Sequence, residues 1–339
     1  MWGGTILGLR FRRISILAVS VLCLSATACG GSSLANTGGS TRVISVVLIP
    51  FSGYAPLYVA SDENLCASNG IKLKLIETDT QSAEDTVMAK GDAEIGAYAN
   101  TALVFAAAGG IPLRAFLELD MSNGADGFVA DSSVTSIKQM AQNHVLFAAD
   151  ETDVEFFLFM YAAQKVGLHP SDFNHSALKS GDALAAFLTG RLGAVGESEP
   201  DLSKALQRPG AHLLFSSKDY PGVISDQFVA SGTTLRNKLA DLTAFAQCWY
   251  RTLQRISANP DSAIAIMARH LVLKPGEMKS AMPGIAWPDK AQGRDFFLNG
   301  QYTDSLQFAD DFYKGLGQLS GIPVPGRQLV SSAVIQKVG

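Results

Sequence analysis

Aromatic, hydroxyl, amide and carboxylate side chains recur where predicted strands end. In open α/β folds, ligands bind beyond the carboxyl ends of the strands, so these side chains are candidates for ligand contact. They are Phe51, Ser52, Tyr54, Tyr98, Asn100, Thr101, Glu151, Thr152 and Glu197. Flat aromatic faces beside carboxylates suit an organic ligand with an unsaturated ring or a cationic nitrogen.

Each candidate also has a purely structural interpretation. Phe51 can be core packing, and Asn100 and Thr101 can be helix caps. The acidic residues near position 151 can be a solvated helix start, which is the favoured interpretation for Asp153. Glu197 can be a surface charge near Pro200.

The sequence does not indicate catalysis, a metal site or a cofactor. No nucleophile lies beside a base, and no metal-ligand spacing occurs. The histidines fall outside the predicted strand-end loops; they are His144, His169, His175, His212 and His270. We therefore expect a protein that is not an enzyme.

Short runs rich in β-branched and aromatic residues alternate with helical patterns from Val43 onward. The predicted strands are 43–49, 71–77, 95–98, 113–119, 145–149, 194–196 and 212–215. The predicted helices are 56–68, 83–90, 101–108, 154–166, 183–189 and 201–207, followed after Ser231 by longer ones at 235–256, 261–270 and 304–319. This alternation predicts an α/β fold with parallel sheets covered on both faces.

One helix start carries the signature of a capping box. Thr152 with Glu155 can satisfy the free backbone N–H groups that would otherwise attract an oxyanion. Asp150, Glu151 and Asp153 would in addition repel a sulfonate or nitrate. We therefore expect this helix start to be occupied by its own side chains.

The first 28 residues are typical of an export signal. A basic start at Arg10, Arg12 and Arg13 precedes an apolar run over 14–26 that is short for a membrane span. Residues 26–29, Ala-Thr-Ala-Cys, resemble a bacterial lipobox, in which the cysteine is acylated. We expect Cys29 to carry lipid such as palmitate, residues 29–42 to form a flexible tether, and the protein to be extracytoplasmic and anchored to the cell membrane.

About 300 residues remain after the signal and tether, enough for two compact domains. The net charge is −4 and no Lys/Arg cluster follows the signal, which excludes nucleic acid as a partner. Cys66 and Cys248 would face an oxidising compartment, so they either form a disulfide or remain two buried thiols.

A series of short segments resembles the substrate-binding proteins of ABC importers for nitrate, sulfonates and thiamine precursors. The resemblance covers nearly all of the chain after the tether. Its segments are 49–60 (IPFSGYAPLYVA), 69–73 (NGIKL), 90–96 (KGDAEIG), 106–114 (AAAGGIPLR), 136–140 (SIKQM), 165–168 (KVGL), 187–194 (FLTGRLGA) and 258–263 (ANPDSA).

This resemblance implies a two-lobe fold of the periplasmic-binding-protein type (type II), with two crossovers and a ligand cleft between the lobes. Lobe 1 is expected at 43–125 and 228–339, and lobe 2 at 126–227, with the return crossover near 223–229. Asp226 on that crossover can reach the cleft. Both Cys66 and Cys248 fall in lobe 1, which favours the disulfide.

The implied function is capture of a small solute and delivery to a permease and its ATPase by a monomeric lipoprotein. The acidic loop and the aromatics favour a nitrogen heterocycle, such as a thiamine-precursor pyrimidine, or an amine. A sulfonate, taurine or nitrate remains the alternative within the family. A thiamine-pyrimidine-synthase-like enzyme and a ligand-sensing lipoprotein are alternatives of a different class.

Overall fold

The computed structural model describes residues 41–151, 153–319, 321 and 324–338 of the 339-residue chain. The predicted signal peptide, the lipidation site Cys29, nearly all of the tether and Thr152 lie outside the described residues. None of the helices in the described part is long and apolar enough to cross a membrane.

The strands and helices alternate along most of the chain. The strands are β1 (Arg42–Leu48), β2 (Ile71–Glu77), β3 (Ile95–Ala99), β4 (Leu113–Ser122), β5 (Asp126–Ala130), β6 (Leu146–Ala148), β7 (Asn174–Ser176), β8 (Ala194–Ser198), β9 (His212–Ser216), β10 (Ser225–Ser231) and β11 (Ile285–Ala286). The helices are α1 (Pro56–Asp62), α2 (Gln81–Lys90), α3 (Asn100–Ala108), α4 (Ile137–Gln142), α5 (Val154–Lys165), α6 (Ser180–Leu188), α7 (Asp201–Ala205), α8 (Gly232–Asn237), α9 (Leu239–Ala258), α10 (Pro260–His270), α11 (Pro275–Ala281), α12 (Lys290–Leu298) and α13 (Gln301–Gly315).

The strands form two separate sheets, as expected for a two-lobe α/β fold. The first sheet has the order β11-β4-β10-β3-β1-β2, and the second has the order β7-β6-β8-β5-β9. We call the sheets with their covering helices the first and the second lobe. The expectation of purely parallel sheets is wrong, because β10 runs antiparallel to β3 and β4, and β5 runs antiparallel to β8 and β9.

Strands β5 and β10 are entered directly from the other sheet and run antiparallel to their neighbours, as does the short β11 beside β4. β4 ends at Ser122 and β5 begins at Asp126, so the first crossover is a short turn. The chain returns through residues 217–224, and β10 then lies in the middle of the first sheet. Residues 225–229 are therefore a central strand rather than the crossover that the sequence predicted.

The first predicted helix, 56–68, is interrupted. α1 ends at Asp62, and Asn64 adopts a left-handed conformation with φ 49° before a short 3₁₀ helix, Leu65–Asn69. Asparagine tolerates this conformation better than most residues. The break turns Cys66 toward α9, where the structure contains a disulfide between Cys66 and Cys248.

Aromatic clusters fill the core of each lobe. Phe228 of the first lobe contacts Phe245 and Trp249 edge to face, and Phe128 of the second lobe stacks on Phe215. Helix α13 touches both lobes, because its aromatic side chains contact α3 and α5. The C-terminal region therefore packs on the second lobe as well as on the first.

Candidate functional site

A cleft of about 900 Å³ separates the two lobes. Its size is that of a site for a small organic molecule. Its polar lining includes the carboxylates Asp79, Glu84, Asp120, Asp126, Asp150, Asp153, Glu155 and Asp226, together with Lys179, Ser180 and Ser198. Carboxylates thus dominate the charged groups of the lining, and Lys179 is the cation among its described members.

We call the face of the cleft that the first lobe contributes the first wall, and the face that the second lobe contributes the second wall. The turn after β1 builds the aromatic part of the first wall. Phe51 and Tyr54 contact each other edge to face, with ring centroids 5.4 Å apart. Gly53 lies between them, and its carbonyl accepts a hydrogen bond of 2.8 Å from Trp287 Nε1. A β-carbon at Gly53 would overlap Asp120 Oδ2 and the Phe51 ring. Glycine is therefore required here for Asp120 to approach the turn.

Asp120 and Asp226 form a carboxyl pair in the first lobe. They are direct neighbours across the β4–β10 ladder, and both are almost fully buried. The Tyr54 hydroxyl and the Asp120 carboxyl lie within hydrogen-bonding reach of Asp226. Burial and the nearby Asp126 carboxylate raise the pKa of Asp226 to about 7, and burial beside Asp226 raises the pKa of Asp120 well above its usual range.

Asp126 and Glu155 form a second carboxyl pair, which belongs to the second lobe. The Ser198 hydroxyl contacts both, lying 2.7 Å from Asp126 Oδ1 and closer still to Glu155 Oε1. Burial raises the pKa of Asp126, and burial together with Asp126 raises the pKa of Glu155. Burial thus favours the protonated form of the carboxyl groups in both pairs.

Within the part of the chain that the structure describes, the buried cleft carboxylates have no cationic partner. Among the described residues, the ion pairs of Lys, Arg and His involve none of Glu84, Asp120, Asp126, Glu155 and Asp226. Glu84 is fully buried, and burial raises its pKa well above the usual range. In the described part of the chain, no group of His, Cys, Asp and Glu side chains is arranged to hold a metal ion.

The second wall contains helix starts without side-chain caps. Asp153 is the N-cap of α5 and Lys179 is the N-cap of α6, and neither side chain accepts a capping hydrogen bond. The predicted role of Glu155 in a capping box is wrong, because its carboxyl turns to Ser198 instead. The N-cap side chains therefore leave the first backbone N–H groups of α5 and α6 uncapped, next to carboxylates.

The structure brings part of the predicted site together. Phe51, Tyr54, Thr101 and Asp226 line the cleft. Thr152 lies outside the described residues. The remaining predicted residues, Ser52, Tyr98, Asn100, Glu151 and Glu197, are not part of the cleft lining.

These five side chains serve other contacts. The Tyr98 hydroxyl donates to Asp85, and the Asn100 amide donates to the carbonyl of Val223. Glu151 accepts a hydrogen bond from Gln318, and Glu197 accepts one from Ser180. Ser52 is buried in a 3₁₀ turn. These five side chains therefore make contacts within the protein and not with the space of the cleft.

Sequence reasoning missed Glu84, Asp120, Asp126 and Glu155 as cleft residues. Asp120 and Asp126 flank the first crossover, where acidic residues interrupt an apolar strand, and this interruption is the signal that could have found them. Glu84 and Glu155 gave no such signal, because an acidic residue in the first turn of a helix is ordinary.

A second cavity of about 600 Å³ lies between α5, α12 and α13 and has a different character. Its charged members Lys165, Asp295 and Asp304 are exposed, and its buried part is aromatic. It shares no lining residue with the cleft. Buried carboxylates therefore line the cleft but not this second cavity.

Solved structures share the fold. The periplasmic aliphatic sulphonate binding protein SsuA from Escherichia coli aligns with a TM-score of 0.75 at 16% identity, over 86% of this chain and 92% of that one. A putative sulfonate-binding protein from Methylobacillus flagellatus KT gives 0.72 at 12% identity, over 88% and 94%. The nitrate-binding protein NrtA from Synechocystis PCC 6803 gives 0.59 at 13% identity, over 86% and 92%.

Sequence comparison gives the family. No curated protein matches the sequence. The family model described as NMT1/THI5 like matches residues 52–263, which is more than half of the chain. The match includes the turn after β1, both crossovers and both carboxyl pairs. The chain therefore belongs to the NMT1/THI5-like family.

Proposed function

We propose that the protein is the extracytoplasmic solute-binding component of an ABC importer and that it captures a cationic organic solute. The solute is an amine or a nitrogen heterocycle, such as a thiamine-precursor pyrimidine, which the protein delivers unchanged to a permease and its ATPase. The two lobes close on it by bending at the two crossovers, residues 123–125 and 217–224. The protein acts as a monomer.

The observation that supports a cationic solute is the set of buried cleft carboxylates without a cationic partner. Burying an ionised carboxylate is costly unless it is paired. A protonated nitrogen in the cleft would provide that pairing, and Phe51 and Tyr54 offer ring faces to the same solute. An oxyanion would instead add repulsion to a low-dielectric space.

An anionic solute is the second candidate, because a specific observation favours it. The α5 and α6 helix starts are uncapped, and Lys179 lies beside them. Free N–H groups at a helix start attract oxyanions. The similar proteins from Escherichia coli and Synechocystis are described as binding sulphonate and nitrate, respectively.

A thermal-shift and calorimetry panel at pH 7.5 separates the two candidates. We expect alkylamines and aminopyrimidines to raise the unfolding temperature, since a ligand at 100 times its Kd stabilises the folded state by about 2.7 kcal/mol. Alkanesulfonates, taurine and nitrate should have no effect. Shifts from the anions alone would overturn the cationic solute and establish the second candidate.

The anchor is a separate part of the proposal. We propose that Cys29 is acylated and holds the protein at the membrane surface; support comes from the lipobox resemblance and the basic, apolar leader. Labelled palmitate should enter the wild-type protein in cells and not the Cys29→Ser variant. Equal labelling of both proteins would refute this assignment.

A further inference from the structure

Two carboxyl pairs, one in each lobe, face the same cleft, and the described residues supply them with hydroxyl and backbone donors but with no cation. In the first pair, no donor in the described protein reaches Asp120 Oδ2, although Asp120 is only 2% exposed. In the second pair, the Ser198 hydroxyl, which has one hydrogen to donate, contacts both Asp126 and Glu155, and the Ser122 hydroxyl is also within reach of Asp126.

Each pair must therefore hold something that its own residues do not supply. Two ionised carboxylates in contact repel each other strongly inside a protein. A shared proton relieves this repulsion in the empty protein, and a cation relieves it in the loaded protein. No Lys, Arg or His of the described chain makes an ion pair with these four carboxyl groups.

The spacing of the pairs follows from the strand geometry. Ser122 lies two residues after Asp120 on β4, and its side chain is within hydrogen-bonding reach of Asp126. Two residues along an antiparallel strand span about 7 Å. An extended chain of about four or five methylene groups separates two nitrogens by a similar distance.

We propose that the solute is an organic dication, with one protonated nitrogen at the Asp120–Asp226 pair and the other at the Asp126–Glu155 pair. This inference rests on the proposed function and narrows its solute class to diamines and related dications. Binding across both lobes would stabilise the closed cleft. Each nitrogen replaces a shared proton, so loading releases protons from the protein.

The direct test compares alkanediamines with alkylmonoamines of the same chain length by isothermal titration calorimetry. We expect the diamine with about four or five methylenes to bind at least about 100-fold more tightly than its monoamine, because each added buried charge pair contributes strongly. Shorter and longer diamines should bind more weakly. At pH 6, buffers of different ionisation enthalpy should report release of about two protons per diamine.

Variants locate the two nitrogens. Asp120→Asn and Asp126→Asn should each reduce diamine affinity about 100-fold while changing monoamine affinity much less, since a monoamine can use the intact pair. Asp310→Asn and Asp261→Asn are the controls, because Asp310 on α13 is a buried carboxylate, Asp261 on α10 is an exposed one, and both lie outside the cleft lining. Unfolding temperatures identify any variant that fails to fold. If Asp120→Asn does not fold, Asp226→Asn tests the same carboxyl pair in its place.

The outcomes separate this inference from the proposed function. Equal affinity for diamines and monoamines, or proton release near zero, would overturn the dication and leave a cationic solute standing. Binding of alkanesulfonates with no amine binding would overturn both. Loss of diamine affinity in the control variants would also overturn the assignment of the nitrogens to these pairs.

Discussion

The two walls of the cleft differ in what they offer a ligand besides carboxylates. The first wall presents the Phe51 and Tyr54 rings beside the Asp120–Asp226 pair. The second presents uncapped helix starts and Lys179 beside the Asp126–Glu155 pair. The first wall favours only a cationic or aromatic solute, whereas the second also carries features that attract an anion. The charge of the solute therefore depends on whether the Asp126–Glu155 pair or the uncapped helix starts with Lys179 make the stronger contribution at the second wall.

The largest effect should be a fall in stability of the ligand-free protein between pH 5 and pH 8. Folding raises the pKa of Asp226 from 3.8 to about 7, so the folded state holds protons that the unfolded state has released. This stabilisation is complete below the unfolded pKa and disappears as pH rises through about 7. The full contribution of Asp226 is about 4 kcal/mol, of which roughly 2.5 kcal/mol is lost between pH 5 and pH 8. Chemical denaturation at several pH values measures it.

Two variants sharpen that measurement. Asp226→Asn removes one titrating group and should reduce the slope of the pH profile, whereas Asp261→Asn, on an exposed helix surface, should leave the slope unchanged. Glu197, whose pKa burial raises to about 7, should contribute a similar slope from the second lobe. If the wild-type protein were equally stable at pH 5 and pH 8, the cleft carboxyl groups would not have the raised pKa values on which this prediction depends.

The next effect is on affinity. Asp226→Asn should weaken binding of a cationic solute by about 3 kcal/mol, or roughly 100-fold, because it removes a buried charge from the first wall. Calorimetry at pH 7.5 measures the loss. Asp310→Asn, a change at a buried carboxylate on α13 outside the cleft lining, should alter affinity little. Equal losses in the two variants would mean that the effect is structural.

The sequence predicted most of the fold because its elements are locally encoded. β2 lies where β-branched and apolar residues predicted it, at 71–77. β10 and β5 were not recognised, since a strand entered from the other sheet has no helix before it to mark its start. The parallel-sheet expectation failed for the same reason. The pairing of these strands is a long-range property that no local pattern reports.

The site was predictable only where it follows a strand. Phe51, Tyr54 and Asp226 were found because they lie at strand ends or on a crossover. Glu155 was assigned to a capping box, an assignment that depends on local spacing, while its contact with Ser198 joins residues 43 positions apart. Asp120 and Asp226 are paired by strand register, which sequence spacing does not reveal.

A smaller effect tests the aromatic side of the first wall. Tyr54→Phe removes the hydroxyl that reaches Asp226, which should raise the pKa of Asp226 further and weaken cation binding by about 1 kcal/mol. The loss should be greater at pH 6 than at pH 8, where Asp226 is ionised in both proteins. Calorimetry at the two pH values checks this, and a loss independent of pH would assign Tyr54 to stacking alone.

The smallest effect discriminates between the walls most directly. Lys179 lies in the cleft lining and is solvent-exposed, so its field is partly screened. For a cationic solute, Lys179→Met should increase affinity about threefold, because it removes a repulsive charge from the second wall. For an anionic solute the same change should reduce affinity. Lys138→Met, on exposed helix α4, should do neither. Calorimetry measures the change in affinity, and its sign identifies the charge of the solute. The measurement is repeated at low and high salt, because an electrostatic effect must become smaller as the salt concentration increases.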